Sequence, residues 1–233
     1  MATFTSGDLT LGFVAVVRIL GLDPGTQVVG YGCLEIAVRS DSDAPAVEGR
    51  APLAMRGSNV VRAAAAGAGD VRLVTAGVLR LGKRGAALTA RLLSLAQQYA
   101  GLVAELRPQE VAVEEAFYGK SAQAALRIGE ARGVVLAESA RVGLDVFQFT
   151  PARVKRCVAG HGAARKESVG AMLQKVLPGL AEAGLDRLPA DATDALALAW
   201  TRLEERRSPL LTTAAPAAVA AAERATARRA NGR

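Results

Sequence analysis

A short apolar run that ends on a carboxylate and turns at once constrains this chain more than any other segment. Val17-Arg18-Ile19-Leu20-Gly21-Leu22 leads into Asp23-Pro24-Gly25, and Gly30-Tyr31-Gly32 follows. A strand buried on both faces reads as a continuous apolar run, and an acid at its end is costly unless cations or a metal compensate it. Asp23 is a candidate site residue on that ground, set against the plainer reading of a solvated turn aspartate. Pro24 suits the turn position that wants φ near about −65°, and Gly25 one where a positive φ is cheap, so the strand should fold back as a hairpin.

With 233 residues, 51% of them hydrophobic, the chain can bury one sizeable core and is expected to hold one main domain. Aromatics make up only 4%, so that core has to be built from Ala, Val and Leu. A net charge of +7 and a pI near 10.0 favour an anionic partner, nucleic acid or an acidic membrane surface. No apolar run reaches the roughly 18 residues that span a bilayer, and no basic region precedes an apolar stretch at the N-terminus. A cytoplasmic protein without a membrane partner is expected. Cys33 and Cys157 make no disulfide framework or zinc spacing, and the lone His161 between Gly160 and Gly162 is more simply an incidental loop residue.

Residues 1–16 show no periodicity and no helix cap. One reading takes Val17 as the native start from a GTG codon, which leaves 1–16 as an extension. A second strand is expected from Val28 to Val38, then a flexible insertion at 39–70, rich in Ala, Gly, Ser and Pro with four basic and four acidic residues. The β-branched pattern resumes from Arg72 to Leu79. Leu88, Leu92, Leu95, Tyr99, Leu102 and Leu106 then recur at helical spacing, which predicts an amphipathic helix over Gly85 to Leu106, stopped by Pro108. Glu110 to Glu114 reads as a short strand, again ending on acid, and Ser121 to Ala140 as a helix. On that helix Ala122, Ala125, Gly129, Gly133 and Ala137 form a small-residue stripe, suited equally to its own sheet or to a second copy's helix. A strand at Leu144 to Phe149, helices from Thr150-Pro151 to Ala159, Arg165 to Leu177 and from near Asp191, and a disordered basic tail at 208–233 complete the chain. The expected class is α/β, a mixed sheet flanked by helices, with 17–207 as the folded domain.

Acids stand where the chain leaves regular elements: Asp23, Glu114, and the pair Asp191 and Asp194 three residues apart on one helix face. Taken alone, that pair serves equally well as helix capping. Gathered in one cleft, four carboxylates would repel one another unless cations screened them, and hard divalent ions prefer such oxygen ligands, which points to magnesium. Two ions about 3.5 to 4 Å apart can activate water and stabilise a leaving oxygen in phosphodiester hydrolysis. A basic chain with an acidic pocket fits nuclease chemistry.

At these residues the chain resembles the RuvC family of Holliday-junction resolvases. The likeness rests on Ile19 to Gly25 with Gly30-Tyr31-Gly32, Val111 to Lys120, Gly129 to Val134, and Ala190 to Ala197, in that order. It implies an RNase H-like fold with a five-stranded sheet, a homodimer, and magnesium-dependent paired nicking of four-way DNA junctions in recombination and repair. Two ions per site, replaceable by manganese, and the branch-migration partners RuvA and RuvB belong to the same implication. By motif, Asp23, Glu114, Asp191 and Asp194 would be the catalytic, metal-binding acids. Phe117 would contact bases at the junction, where a stacked ring is worth roughly 1 to 3 kcal/mol. Lys155 and Lys166 would lie near the active site on phosphates, while Arg156, Arg165 and Lys175 read as a solvated face. Glu115 falls outside the metal set, since alternation turns it to the other face of the strand.

Asp23-Pro24-Gly25-Thr26 also resembles the phosphate hairpin of the actin-like ATPases, but no second Asp-x-Gly hairpin follows. A compact YqgF-type nuclease shares the first motif, but the long helical middle and the Lys155 to Lys166 segment fit the RuvC family better. A junction-binding protein that does not cleave is the alternative outside enzymes, and the intact acids oppose it.

Overall fold

The computed structural model describes residues 14–39, 71–83, 85–115, 122–177, 180 and 188–207. The chain enters as β1 (Val14–Asp23), β2 (Val28–Arg39) and β3 (Val71–Arg80), then continues through α1 (Leu88–Leu106), β4 (Glu110–Glu114), α2 (Ala122–Arg141), β5 (Asp145–Phe149), α3 (Pro151–Ala159), α4 (Lys166–Val176) and α5 (Ala190–Arg207). The strands form one five-stranded sheet in the order β3-β2-β1-β4-β5. β1, β2 and β3 pair antiparallel, while β4 lies parallel to β1 and β5 parallel to β4. The expected mixed α/β sheet is what the chain builds.

Boundaries differ from the sequence reading where local backbone chemistry intervenes. β1 begins at Val14, ahead of Val17, because a ladder needs only a partner backbone and β2 runs on to Arg39, opposite Val14. α1 starts at Leu88 and not at Gly85, whose φ of +90° no right-handed helix accommodates. Leu144 stays outside β5 because its N–H donates back to the Ser139 carbonyl, closing the turn at Gly143, where φ is +74°. α3 has the expected start, with the Thr150 hydroxyl accepting from the Arg153 N–H at 3.3 Å. The insertion beyond Arg39, the tail at 208–233 and Phe117 lie outside the described residues.

Alternation along the central strands sorts the core into two layers. Leu20, Leu22, Val111 and Val113 face α1 and α2, packing with Leu95, Tyr99, Leu102 and Val135. Ile19 and Ala112 face the other way, into a layer closed by α3, α4 and α5 through Val154, Leu173, Leu196, Trp200 and Leu203. The α5 side therefore also receives Asp23, Glu110 and Glu114, each an even step along its strand.

The two ends of β4 meet α5 differently. At its start, buried Glu110 accepts from Arg202 Nε at 2.8 Å and from Arg202 Nη2 at 3.1 Å, and pairs with Arg206. Arg202 also stacks on the Phe147 ring, 3.4 Å from its centroid, and Glu205 joins Arg202 to Arg153. A buried carboxylate stripped of such partners is destabilising by several kcal/mol, so this network anchors the far end of α5 firmly. Its near end is left for the acids.

Candidate active site

Three glycines decide how α5 lies on the sheet. A Cβ on Gly21 would overlap the Ala195 carbonyl oxygen, one on Gly30 would overlap that of Asp191, and one on Gly32 would sit 2.6 Å from Leu196 Cδ2. Close seating needs positions without side chains. That seating carries the start of α5 over the β1–β2 hairpin and sets Asp191 and Asp194 beside Asp23. Gly30→Ala is expected to lift this end of the helix, lowering Tm by several degrees through an overlap worth about 1–3 kcal/mol or more. Junction cleavage should fall more steeply than stability; a folded variant cutting at the wild-type rate would show that the seating is dispensable.

Asp23 and Glu114 arrive from neighbouring strands. The parallel register pairs Leu22 with Val113, so one further residue brings Asp23 abreast of Glu114. Asp191 stands in the first turn of α5, while Asp194, five residues into the helix, lies beyond the four free amides that a cap could satisfy. Lys166, the first residue of α4, reaches across to Asp194 with Nζ 2.5 Å from Oδ2.

The electrostatics record the crowding. Burial pushes the Asp23 carboxyl up to about 7, and Glu114, Asp194 and Asp191 push the same way while Lys166 pulls back. Glu114 is also raised, first by burial and then by Asp194, with Lys166 and Lys155 opposing. The hydrogen bond to Asp194 holds the Lys166 ammonium above its ordinary value. The four acids, Lys155 and Lys166 thus share one electrostatic field. Among the described residues no three His, Cys, Asp or Glu side chains stand close enough to grip an ion as placed. The donor set nevertheless fits a hard divalent cation: all of it is carboxylate oxygen, and burial beside three other acids keeps a proton on Asp23 to about neutrality, which an entering cation would displace.

Other expected residues are distributed as follows. Arg156, Arg165 and Lys175 are exposed, as a solvated face requires, and His161 sits exposed in its loop. Gly129 and Gly133 have open space where a side chain would stand, and Ala137 is exposed, whereas Ala131 and Val135 pack into the core beside the sheet and Ser139 meets the Tyr99 hydroxyl of α1. The small-residue stripe is therefore not what packs α2 on its own sheet. Sequence reasoning gave no role to Arg132, seen only within the Gly129 to Val134 motif; its Nε donates to the Glu114 carbonyl oxygen at 3.1 Å and its terminal nitrogen pairs with the Gln148 side chain. Its partner, a main-chain carbonyl, leaves no mark in the sequence.

Carboxylates at the tips of two central strands, with more on a helix crossing them, define an RNase H-like nuclease. A family model described as crossover junction endodeoxyribonuclease RuvC matches residues 52–202. Among curated relatives, a crossover junction endodeoxyribonuclease RuvC of Halorhodospira halophila is 38% identical over 196 residues, covering 84% of this chain and 95% of that one. Its counterpart in Chromohalobacter salexigens is 34% identical, over 81% and 82% of the two chains. The Thermus thermophilus RuvC structure superimposes with a TM-score of 0.60 at 30% identity, covering 82% of this chain and 96% of that one. The same protein in complex with a Holliday junction substrate gives 0.59 at 28%, over 80% and 93%. The chain belongs to the RuvC family, and it is an endonuclease that resolves Holliday junctions in recombination and repair.

Proposed function

We propose that Asp23, Glu114, Asp191 and Asp194 are the catalytic acids of this nuclease and hold magnesium, two ions per site, for which manganese can substitute. The observation that carries the reading is the convergence of these acids with Lys155 and Lys166 at one end of the two central strands. When bound, such ions activate water and stabilise the leaving oxygen of a phosphodiester. The chain's own part is to hold oxygen ligands on three rigid elements and to release the Asp23 proton as positive charge enters. Lys155 and Lys166 bind phosphates of the four-way junction, and Lys166 keeps Asp194 oriented until they arrive. Phe117 stacks on a junction base.

A symmetric junction cut by paired nicks calls for two sites, and we assign the second to another copy of this chain docked along α2. The uncovered Gly129, Gly133 and Ala137, with Leu126 68% and Ile128 40% exposed, support that face. RuvA and RuvB are the partners the family likeness suggests, in the cytoplasm. No helix among the described residues is long and apolar enough to cross a membrane.

Incubating the full chain with an end-labelled four-way junction should yield two symmetric nicks in magnesium and an intact, bound junction in EDTA. Binding without nicks in magnesium would make this a junction binder that does not cleave. Nicks in EDTA would remove the metal.

A further inference from the structure

Each acid needs something to fix the backbone that carries it. Asp23 sits at a hairpin, and Asp191 and Asp194 ride on a helix seated against glycines and clamped at its far end by Glu110. Glu114 is the last residue of a strand of only five. Next to it, the Glu115 N–H donates to the Phe149 carbonyl at 2.9 Å, which ties that point to β5. The Glu114 carbonyl takes its bond from Arg132.

We propose that Arg132 is a positioning residue for Glu114, its guanidinium locking the end of β4 to β5 and to α2 so that the Glu114 carboxylate enters the cleft in one orientation. The fork spans two strands: Nε reaches the Glu114 main chain at 3.1 Å, and the terminal nitrogen takes the side chain of Gln148, which the register places opposite Val113. Only a planar, permanently charged group with several donors makes both contacts at once. A lysine ammonium carries all its donors on one atom and cannot reproduce that two-nitrogen fork. The guanidinium touches no carboxylate oxygen of Glu114, so its influence runs through the backbone.

The proposal rests on the reading of Glu114 as a metal-binding acid, and Glu114→Gln serves as the reference that separates the two. Three measurements on the full chain decide it: single-turnover junction cleavage against magnesium concentration, junction affinity in EDTA, and the rise in Tm that magnesium or manganese produces without DNA. Arg132→Lys and Arg132→Gln are both expected to raise the magnesium needed for half-maximal cleavage by about 10- to 100-fold. They should also shrink the metal-induced rise in Tm and leave junction affinity within about twofold of wild type. Lysine should not rescue. Wild-type metal dependence and Tm rise in both variants, beside an inert Glu114→Gln, would overturn the positioning role alone. So would a fall in cleavage that tracks lost junction affinity or lost folded fraction. A Glu114→Gln variant that cuts like wild type would sink the acid assignment and the positioning role together.

Discussion

Asp194→Asn is expected to bind a four-way junction as the wild-type chain does and to leave it uncut. The substitution keeps shape and removes one charge, which isolates the electrostatic role of the carboxylate. Its visible contact is the ion pair with Lys166, whose side chains are 68% and 28% exposed, and such a pair adds at most about 1 kcal/mol of stability. Tm should therefore shift by no more than a few degrees. Chemistry has more to lose: several kcal/mol of charge stabilisation corresponds to about 10³-fold in rate. Gel-shift titration in EDTA and single-turnover cleavage in magnesium measure the two effects separately. A variant that still nicks at the wild-type rate would remove Asp194 from the metal set.

Asp23 and Glu114 were legible because each ends a strand, where a charge is conspicuous against the apolar run before it, and Asp191 and Asp194 because they are paired on one helix face. Gathering them is a long-range event, and it was legible only as a family likeness. Gly30 shows why: the sequence displays it as half of Gly30-Tyr31-Gly32, yet its purpose is room for the Asp191 carbonyl of a helix far along the chain. Arg132 stands within the Gly129 to Val134 motif that carries the family likeness, yet its contact was illegible for a related reason. A basic residue on an amphipathic helix reads as solvated, and nothing in its neighbours reports a bond to a backbone oxygen 18 positions earlier. The stripe on α2 was visible but ambiguous, because spacing does not say which side of a helix the sheet will take. Ala131 and Val135 take it, one turn apart, and the glycines are left outside.

Asp23→Asn should abolish cleavage and at the same time stabilise the metal-free protein, a pairing that separates a metal ligand from a structural aspartate. The folded carboxyl is raised from 3.8 to about 7, chiefly by burial and then by Glu114, Asp194 and Asp191. Between those values the folded chain keeps a proton that the unfolded chain gives up, so stability falls as pH rises through the window, and the full deficit stands above it. At about 1.4 kcal/mol per pH unit, the deficit has an upper bound of about 4 kcal/mol, reduced as neighbouring acids and water relax. Asparagine carries no charge to penalise. In EDTA at pH 8 the variant should melt several degrees above wild type, given roughly 2–4 °C per kcal/mol for a chain of this size, and the two should converge below about pH 4. Magnesium should reverse the order, since it stabilises only the chain that binds it. A wild-type melting temperature flat from pH 4 to 8, or a variant that still cuts, would mean that Asp23 is an ordinary turn residue and that the hairpin presents something other than a metal ligand.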